Sequence, residues 1–320
     1  ILERHLHIRY STNGRNETTR HSLKKVFPFG ERTLAEYRNY GTPGQQEATN
    51  TYGTDPSVPG YGLLLCATDF DGGWIRYEYD DAGRTVREIT PFGDAAPDAP
   101  EELCCVTVYD YTLLEDGEES WEADNRARTV IRYALGQEIG LEYHLYFPNE
   151  SRDITATEPG AAFDAPANRV RKHYSYTDGE FAGKPWKSEN SDGTVSVTVY
   201  QKLNVSADPD GREVYDLQTT TESGRLPGHG TRTVSLRNML GDTVRQQTFD
   251  IESGLLISDV SYTYDDIGRV LTETTADGDV TSTEYNCCGP RRIVAPDGSE
   301  TEYAYDSFKR LKFESRAGVT

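Results

Sequence analysis

The sequence has 320 residues, and its 53 acidic and 33 basic side chains give a formal net charge of −20. This charge repels nucleic acid and anionic membranes, so we expect no nucleic-acid partner. Hydrophobic residues make up only 35% of the chain, whereas tyrosine occurs 21 times and glycine 29 times. This composition disfavours a helical globule and favours half-exposed pleated strands joined by frequent turns.

The predicted elements begin with a strand near the N terminus, followed by a turn at Tyr10–Arg15 in which glycine stands three places after Ser11. His5 and His7 alternate on this strand and would share one face, where a metal site is the alternative to two ordinary surface histidines. No convincing helix appears in the sequence, and the segment Glu31–Tyr40 is the best candidate for one. Because the chain begins without methionine and inside a repeated phrase, we interpret it as a piece of a longer protein.

The segment 71–94 holds the first complete copy of a repeated phrase, YDDAGR, which starts at Tyr79. Asp80 at the first position of a type I turn can accept hydrogen bonds from the turn's own backbone, and Gly83 suits the fourth position. The run "WIRYEYD" before the turn alternates, so that Tyr77 and Tyr79 share one face of a strand. The phrase therefore predicts a strand that ends in a tight turn.

The middle of the chain, about residues 97–233, is less regular. The phrases "GDAAPDAPEE" and "ADPDGRE" are typical of loops, and repeats between them are degenerate or interrupted. We interpret these stretches as insertions into one repeat array that covers residues 1–320. A second domain is the alternative.

The segment 261–320 repeats the phrase three times, and a copy without its tyrosine precedes it at Arg237–Gly241. The tyrosines follow one another at spacings of 21 and 20 residues. Glycine occupies the fourth turn position in every copy except the last. The turn residues predicted in this segment are Tyr264, Asp265, Gly268, Tyr285, Asn286, Gly289, Tyr305 and Asp306.

A second kind of turn, Asp-Gly, lies between successive tyrosine turns and contains Gly278 and Gly298. Asp-Gly between alternating runs predicts a β-hairpin, and we expect a positive φ at Gly278. Two turns in about 20 residues leave two strands per repeat. The sequence thus predicts an all-β fold of tandem hairpins stacked into a long curved sheet, with tyrosine rings stacked across neighbouring strands.

These phrases resemble the YD repeats of the Rhs and teneurin families, most specifically at residues 71–94 and 261–320. The resemblance implies a spiralling β-sheet that closes into a hollow shell, in a protein that is secreted or attached to the cell envelope. Bacterial relatives enclose a C-terminal toxin, and animal relatives form part of an adhesion protein. The Asp-Pro-x-Gly motif linked to self-cleavage in bacterial relatives is not matched by Asp208–Gly211, so we assign no cleavage activity.

The sequence contains no motif that identifies an enzyme, a cofactor site or a metal site. The cysteine pairs Cys104–Cys105 and Cys287–Cys288 are adjacent, whereas zinc ligands are usually separated by about two to four residues. We therefore expect vicinal disulfides or plain thiols. The leading hypothesis is a shell segment that contacts neighbouring repeats of its own chain and an enclosed C-terminal passenger. An extracellular module that binds glycans or a protein is the alternative.

Overall fold

In the computed structural model, nearly all of the regular secondary structure in the described residues is antiparallel β-strand. The structure describes residues 3–12, 16–119, 124–203, 215–225, 228–306 and 308–316. The chain divides into two compact units, Ile1–Val170 and Arg171–Thr320.

The strands of the first unit follow one another with one short 3₁₀ turn at Glu101–Leu103. They are β1 (Glu3–Thr12), β2 (Asn16–Phe27), β3 (Gly30–Arg38), β4 (Gln46–Tyr52), β5 (Leu64–Thr68), β6 (Trp74–Tyr79), β7 (Thr85–Pro91), β8 (Cys104–Asp110), β9 (Thr129–Ala134), β10 (Gln137–Phe147) and β11 (Glu150–Thr155). Each strand pairs antiparallel with the next one along the chain.

The second unit has the same plan. Its strands are β12 (Arg169–Ser175, which starts two residues before the unit boundary), β13 (Pro185–Asn190), β14 (Val195–Lys202), β15 (Tyr215–Arg225), β16 (His229–Asn238), β17 (Thr243–Asp250), β18 (Leu256–Tyr264), β19 (Val270–Thr275), β20 (Val280–Tyr285), β21 (Pro290–Val294), β22 (Glu300–Tyr305) and β23 (Leu311–Arg316). Again every strand pairs antiparallel with its successor. The prediction of an all-β fold built from tandem hairpins is confirmed.

The helix expected at Glu31–Tyr40 is wrong, because this segment belongs to β3 (Gly30–Arg38). Pairing with β2 on one side and β4 on the other occupies its backbone hydrogen-bonding groups. Ala35 is buried in the middle of the strand. Tertiary pairing has therefore overridden a local helix propensity worth only a few tenths of a kcal/mol per residue.

The best-packed part of the first unit lies on one face of β6 to β8. Trp74, Ile89, Cys104 and Val106 form a buried cluster there. The connection between β7 and β8 folds over this face, and the indole N–H of Trp74 donates to the carbonyl of Ala95 at 2.7 Å. The connection between β7 and β8 thus covers an apolar patch that a single sheet would expose.

A buried ionic network lies in the connection between β8 and β9 of the first unit. The Arg128 side chain is 2% exposed, and its Nε donates to Glu118 Oε2 at 2.8 Å. Its Nη2 donates to Asp124 Oδ2 at 3.0 Å and to the carbonyl of Glu119 at 2.6 Å. Each carboxylate therefore has a cationic partner, as buried charges require.

The second unit shares the strand order of the first but differs in its packing, because no described side chain in it is fully buried. Its strands are held by backbone pairing and by side-chain contacts that leave each residue partly exposed. No helix in the described part of the chain is long and apolar enough to span a membrane.

Candidate functional site: the tyrosine–aspartate turns

The turn at Asp80 has a compact backbone structure that recurs at Asn238, Asp265 and Asp306. The N–H of Asp80 donates to the carbonyl of Arg84 at 3.0 Å, and the N–H of Gly83 donates to the carbonyl of Asp80 at 3.0 Å. Gly83 has φ +78°. This is a type I turn followed by a left-handed residue, the usual three-residue hairpin loop with a bulge. Gly83 is at the position where a Cβ would be costly.

The carboxylate of Asp80 joins the turn backbone to its arginine. Its Oδ1 accepts from the backbone N–H groups of Ala82 (3.0 Å) and Arg84 (2.9 Å). Its Oδ2 accepts from the Nε and Nη2 groups of Arg84, both at 2.7 Å. Burial alone would raise the pKa of Asp80, but the hydrogen bonds from Arg84 outweigh it and hold the pKa below its usual value.

The turn that contains Asp265 and Gly268 repeats this arrangement. Asp265 Oδ1 accepts from the backbone N–H of Arg269 at 2.9 Å, and Oδ2 accepts from Arg269 Nε at 2.7 Å. Gly268 has φ +81°. The pKa of Asp265 is lowered, chiefly by the hydrogen bond from the Arg269 backbone and also by the one from its side chain.

The turn at Asp306 keeps the carboxylate–arginine pair without the glycine. Asp306 Oδ1 accepts from the backbone N–H of Arg310 at 3.0 Å, and Oδ2 accepts from its Nε at 2.8 Å. Lys309 stands at the fourth position with φ +63°. A residue other than glycine is strained in this region, so this copy retains the bulge at an energetic cost.

Two turns carry asparagine at the first position. In one, Asn238 Oδ1 accepts from the backbone N–H of Asp242 at 2.9 Å, and Nδ2 donates to Asp242 Oδ2 at 3.2 Å. In the other, the loop is shorter, since the N–H of Asn286 donates to the carbonyl of Gly289 at 3.0 Å. A Cβ at Gly289 would lie 2.5 Å from the Tyr305 hydroxyl oxygen. Gly289 is thus needed for the close approach of the next turn's tyrosine.

At three of the turns, the tyrosine hydroxyl reaches back to the strand before its own. The hydroxyl groups of Tyr79, Tyr264 and Tyr305 each donate to the carbonyl of the first residue of the preceding strand. These bonds are Tyr79 to Leu64 at 2.7 Å, Tyr264 to Thr243 at 2.6 Å and Tyr305 to Pro290 at 3.0 Å. Tyr111, directly after β8, does the same with Thr85 at 2.7 Å. The tyrosines therefore bond adjacent strands at the turn edge of the sheet.

The arginine of a turn reaches forward to the next hairpin. The guanidinium carbon of Arg269 lies 4.4 Å from the ring centroid of Tyr285, and its Nη1 donates to the carbonyl of Asn286 at 3.1 Å. Arg84 lies in the same way 4.3 Å from the ring centroid of Tyr111. The repeated phrase thus links three successive segments. Its tyrosine hydroxyl bonds the preceding strand, its aspartate bonds the arginine of the same turn, and that arginine contacts the tyrosine of the next hairpin.

The expected stacking of tyrosine rings across neighbouring strands is not the main contact. Tyr77 and Tyr79 stack along one strand at 6.3 Å, but no aromatic ring pair among the described residues includes Tyr264, Tyr285 or Tyr305. Corresponding turn tyrosines are two strands apart, about 9.6 Å between backbones at ordinary strand spacing. Arginine occupies the space between them.

The Asp-Gly turns use the same loop as the tyrosine turns. The N–H of Gly278 donates to the carbonyl of Thr275 at 3.0 Å, and that of Gly298 to Ala295 at 2.9 Å. Gly278 has φ +83° and Gly298 has φ +78°. The two Asp-Gly turns and the tyrosine turns at Asp80 and Asp265 are therefore of one type, with glycine at its left-handed position.

The described residues contain no cluster of three or more histidine, cysteine, aspartate or glutamate side chains arranged to hold a metal. The alternative metal site at His5 and His7 lies outside the residues whose side chains are described. Of the turn at Tyr10–Arg15, residues 13–15 also lie outside the described residues.

Comparison with known proteins finds no matching family model and no matching curated protein. Solved structures that match include a Photorhabdus luminescens Tc holotoxin pore (10% identity over 93% of this chain and 18% of that chain, TM-score 0.35). A TcdB2–TccC3–TEV structure matches with 11% identity over 94% of this chain and 19% of that one, TM-score 0.34. TcdB2–TccC3 without its hypervariable C-terminal region matches with 14% identity over 98% of this chain and 21% of that chain, with a TM-score of 0.25. The chain spans about a fifth of the length of these structures.

Proposed function

We propose that the chain is a wall segment of a large Rhs-type repeat protein, secreted or attached to the cell envelope, whose curved sheet encloses or presents a C-terminal passenger. The observation that carries this proposal is the coupling of each turn to both neighbours. Tyr264 bonds the strand before its own, and Arg269 contacts Tyr285 of the next hairpin. A hairpin of this kind is complete only inside an array.

The packing of the second unit supports a wall instead of a globule. Its described side chains are all at least partly exposed, so the described part of this unit has no buried core. A sheet held by strand pairing and turn contacts can form a wide wall without filling the space on either of its faces. In this proposal the segment itself has no catalytic role, and its value lies in the volume that the complete sheet bounds.

The partners in this proposal are neighbouring repeats of the same full-length chain. Among the described residues, β1 pairs with β2 alone and β23 pairs with β22 alone. Each of these strands therefore has one edge available, and an unpaired edge readily accepts another strand. Preceding and following repeats would extend the sheet at these edges.

Protease protection of the full-length protein tests the proposal. We expect the passenger that follows the repeats to resist digestion in the intact protein and to be cut rapidly when it is produced alone. Equal digestion rates of the passenger in both preparations would contradict enclosure. Electron microscopy of the same sample should show a hollow particle, and a compact solid particle would contradict the wall.

A glycan-binding surface is the second candidate, and a recess in the first unit favours it. The recess has a volume of about 390 Å³ and is lined by Tyr109, Tyr111, Tyr146, Glu88 and His144, among others. Aromatic rings beside carboxylate and imidazole groups offer both stacking surfaces and hydrogen-bonding groups to a sugar. A glycan array tests this candidate. Loss of binding in Glu88→Gln with an unchanged melting temperature would support it, and absence of binding by the unaltered chain would reject it.

A further inference from the structure

The two adjacent cysteine pairs occupy different backbone environments. Cys104 and Cys105 lie in β8, where successive side chains point to opposite faces of the sheet. Cys104 is fully buried in the cluster with Ile89, whereas Cys105 is partly exposed on the other face, opposite Ala134. Strand geometry therefore keeps these two sulfur atoms apart.

Cys287 and Cys288 lie instead in the loop between β20 and β21, where no pleat separates them. Their Sγ atoms are 2.8 Å apart. Asn286 Oδ1 accepts from the backbone N–H groups of Cys288 (2.9 Å) and Gly289 (3.2 Å), which fixes the loop around the two thiols. Cys287 is exposed and Cys288 is partly exposed, so a small reagent can reach the pair.

We propose that Cys287 and Cys288 form a reversible dithiol–disulfide site, oxidised by low-molecular-weight disulfides of the glutathione class. This site goes beyond the proposed wall function and does not depend on it, because it rests on the geometry of one loop.

The exchange proceeds in two balanced steps. The Cys287 thiolate attacks one sulfur of the oxidised reagent, forms a mixed disulfide and releases one reagent thiolate. The Cys288 thiolate then attacks Cys287 Sγ, closes the ring and releases the second reagent thiolate. The two protein protons pass to the solvent or to these thiolates, and the reagent is reduced by two electrons. Cys287 is the attacking group because it is the more exposed thiol and because the pKa of Cys288 is raised, first by its hydrogen bond with Cys287.

A disulfide between adjacent residues is easily reduced. Their Cα atoms are about 3.8 Å apart across a trans peptide, which is shorter than the range of about 4.4–6.8 Å found in relaxed disulfides. Strain of this kind makes a disulfide more oxidising. The site therefore opens and closes with the redox state of the medium and is not a permanent crosslink.

The loop is also connected to both neighbouring turns. The side chain of Arg269 donates to the carbonyl of Asn286. The Tyr305 hydroxyl donates to the carbonyl of Pro290, which follows Gly289. Closing the ring changes the backbone between these two contacts. Oxidation at one loop is thereby transmitted to the contacts that join three hairpins.

Mass spectrometry of the whole chain equilibrated in glutathione buffers tests the proposal. After acid quenching, alkylation in denaturant and trypsin digestion, the two cysteine pairs fall in separate peptides, residues 88–126 and 270–291. We expect peptide 270–291 to be unalkylated and lighter by two hydrogens in oxidising buffer, and to regain both thiols with dithiothreitol. Peptide 88–126 is the internal control and should take two alkyl groups throughout.

Variants separate the two steps. Cys288→Ser should accumulate glutathione on Cys287, because ring closure is blocked, and Cys104→Ser/Cys105→Ser should leave oxidation of peptide 270–291 unchanged. The proposal would be overturned if that peptide retained two alkylated thiols, or carried glutathione without ring closure, in the most oxidising buffer. Glutathione on Cys288 in Cys287→Ser, with none on Cys287 in Cys288→Ser, would overturn the assigned order of attack.

Discussion

The guanidinium of Arg269 lies against the ring of Tyr285. Two hydrogen bonds hold the guanidinium in place, one to the carboxylate of Asp265 and one to the backbone carbonyl of Asn286. The arginine thus belongs to one turn by its hydrogen bonds with aspartate and to the next by its contact with tyrosine. This bridge between successive hairpins is a property that substitutions can measure.

Replacing Arg269 with alanine should lower the free energy of unfolding by about 1 kcal/mol, the sum of a partly exposed cation–π contact and a surface ion pair. Arg269→Lys should recover only part of this loss, because lysine lacks the planar fork that bonds aspartate and covers the ring. Chemical denaturation measures the change. Exposed Arg291 in β21 provides the control, and an equal loss in Arg291→Ala would contradict a specific bridge.

Replacing Tyr264 with phenylalanine removes one hydroxyl and keeps the ring. We expect a loss of about 1 kcal/mol, because the carbonyl of Thr243 loses its hydrogen bond at a partly buried position. Tyr262→Phe, two residues earlier on the same face, is the matched control and should change stability by less than about 0.5 kcal/mol. If both variants melt at the same temperature, the backward bond contributes nothing.

Gly278→Val should destabilise the chain by about 2 kcal/mol, because a β-branched residue is strained at φ +83°. No atom lies within 4 Å of the position of the new Cβ, so the cost comes from the backbone and not from a clash. Gly278→Asn should cost less than about 1 kcal/mol, since asparagine tolerates this conformation. Thermal denaturation of the two variants tests the difference, and equal melting temperatures would contradict it.

Asp265→Asn should keep the turn and change how stability depends on pH. The folded-state pKa of Asp265 is lowered, so the unfolded chain binds this proton first as the pH falls. Its contribution to stability is therefore complete above the unfolded value of about 4 and is lost as the pH falls through the lower folded value. The melting-temperature difference between the unaltered chain and the variant should be largest near neutral pH and shrink in acid. A difference that stays constant or grows in acid contradicts this, and Asp266→Asn is the control.

Arg128→Ala should be the most damaging of these substitutions, with a loss of about 3–5 kcal/mol, because it leaves buried Glu118 and Asp124 without their cation. Arg132→Ala in β9 removes a partly exposed ion pair with Glu142 and should cost about 1 kcal/mol. Urea denaturation of the two variants compares them directly. Similar losses in the two variants would show that burial does not increase the contribution of the Arg128 network to the free energy of unfolding.

The sequence predicts the regular parts of this fold because they depend on local chemistry. Alternation at Tyr77 and Tyr79 requires only a pleated strand, and glycine at position 83 or 268 reports a positive φ. The segment Glu31–Tyr40 was predicted wrongly, because its strand conformation is set by two neighbours that are distant in sequence. Local propensity carries no information about those neighbours.

The contacts of the candidate site are not visible in sequence for a similar reason. A tyrosine before a turn indicates an apolar face, but the acceptor of its hydroxyl is fixed only when the order and register of the strands are known. The arginine after Gly268 was available as a signal, since Asp265 stands four residues before it. The contact of this arginine with Tyr285 could not be predicted, because it depends on equivalent turns lying two strands apart in the sheet.

The backward hydrogen bonds of Tyr264 and Tyr305 bear on the order in which the hairpins can form during synthesis. The hydroxyl of Tyr305 needs only Pro290, and that of Tyr264 needs only Thr243, both of which leave the ribosome earlier than the tyrosine itself. Arg269, in contrast, must wait for Tyr285 to be made. A new hairpin can therefore form its backward hydrogen bond with a strand that has already been synthesised. The arginine of its turn then remains without its aromatic contact until the next hairpin is made. This order of contacts is compatible with sheet formation from the N terminus during synthesis.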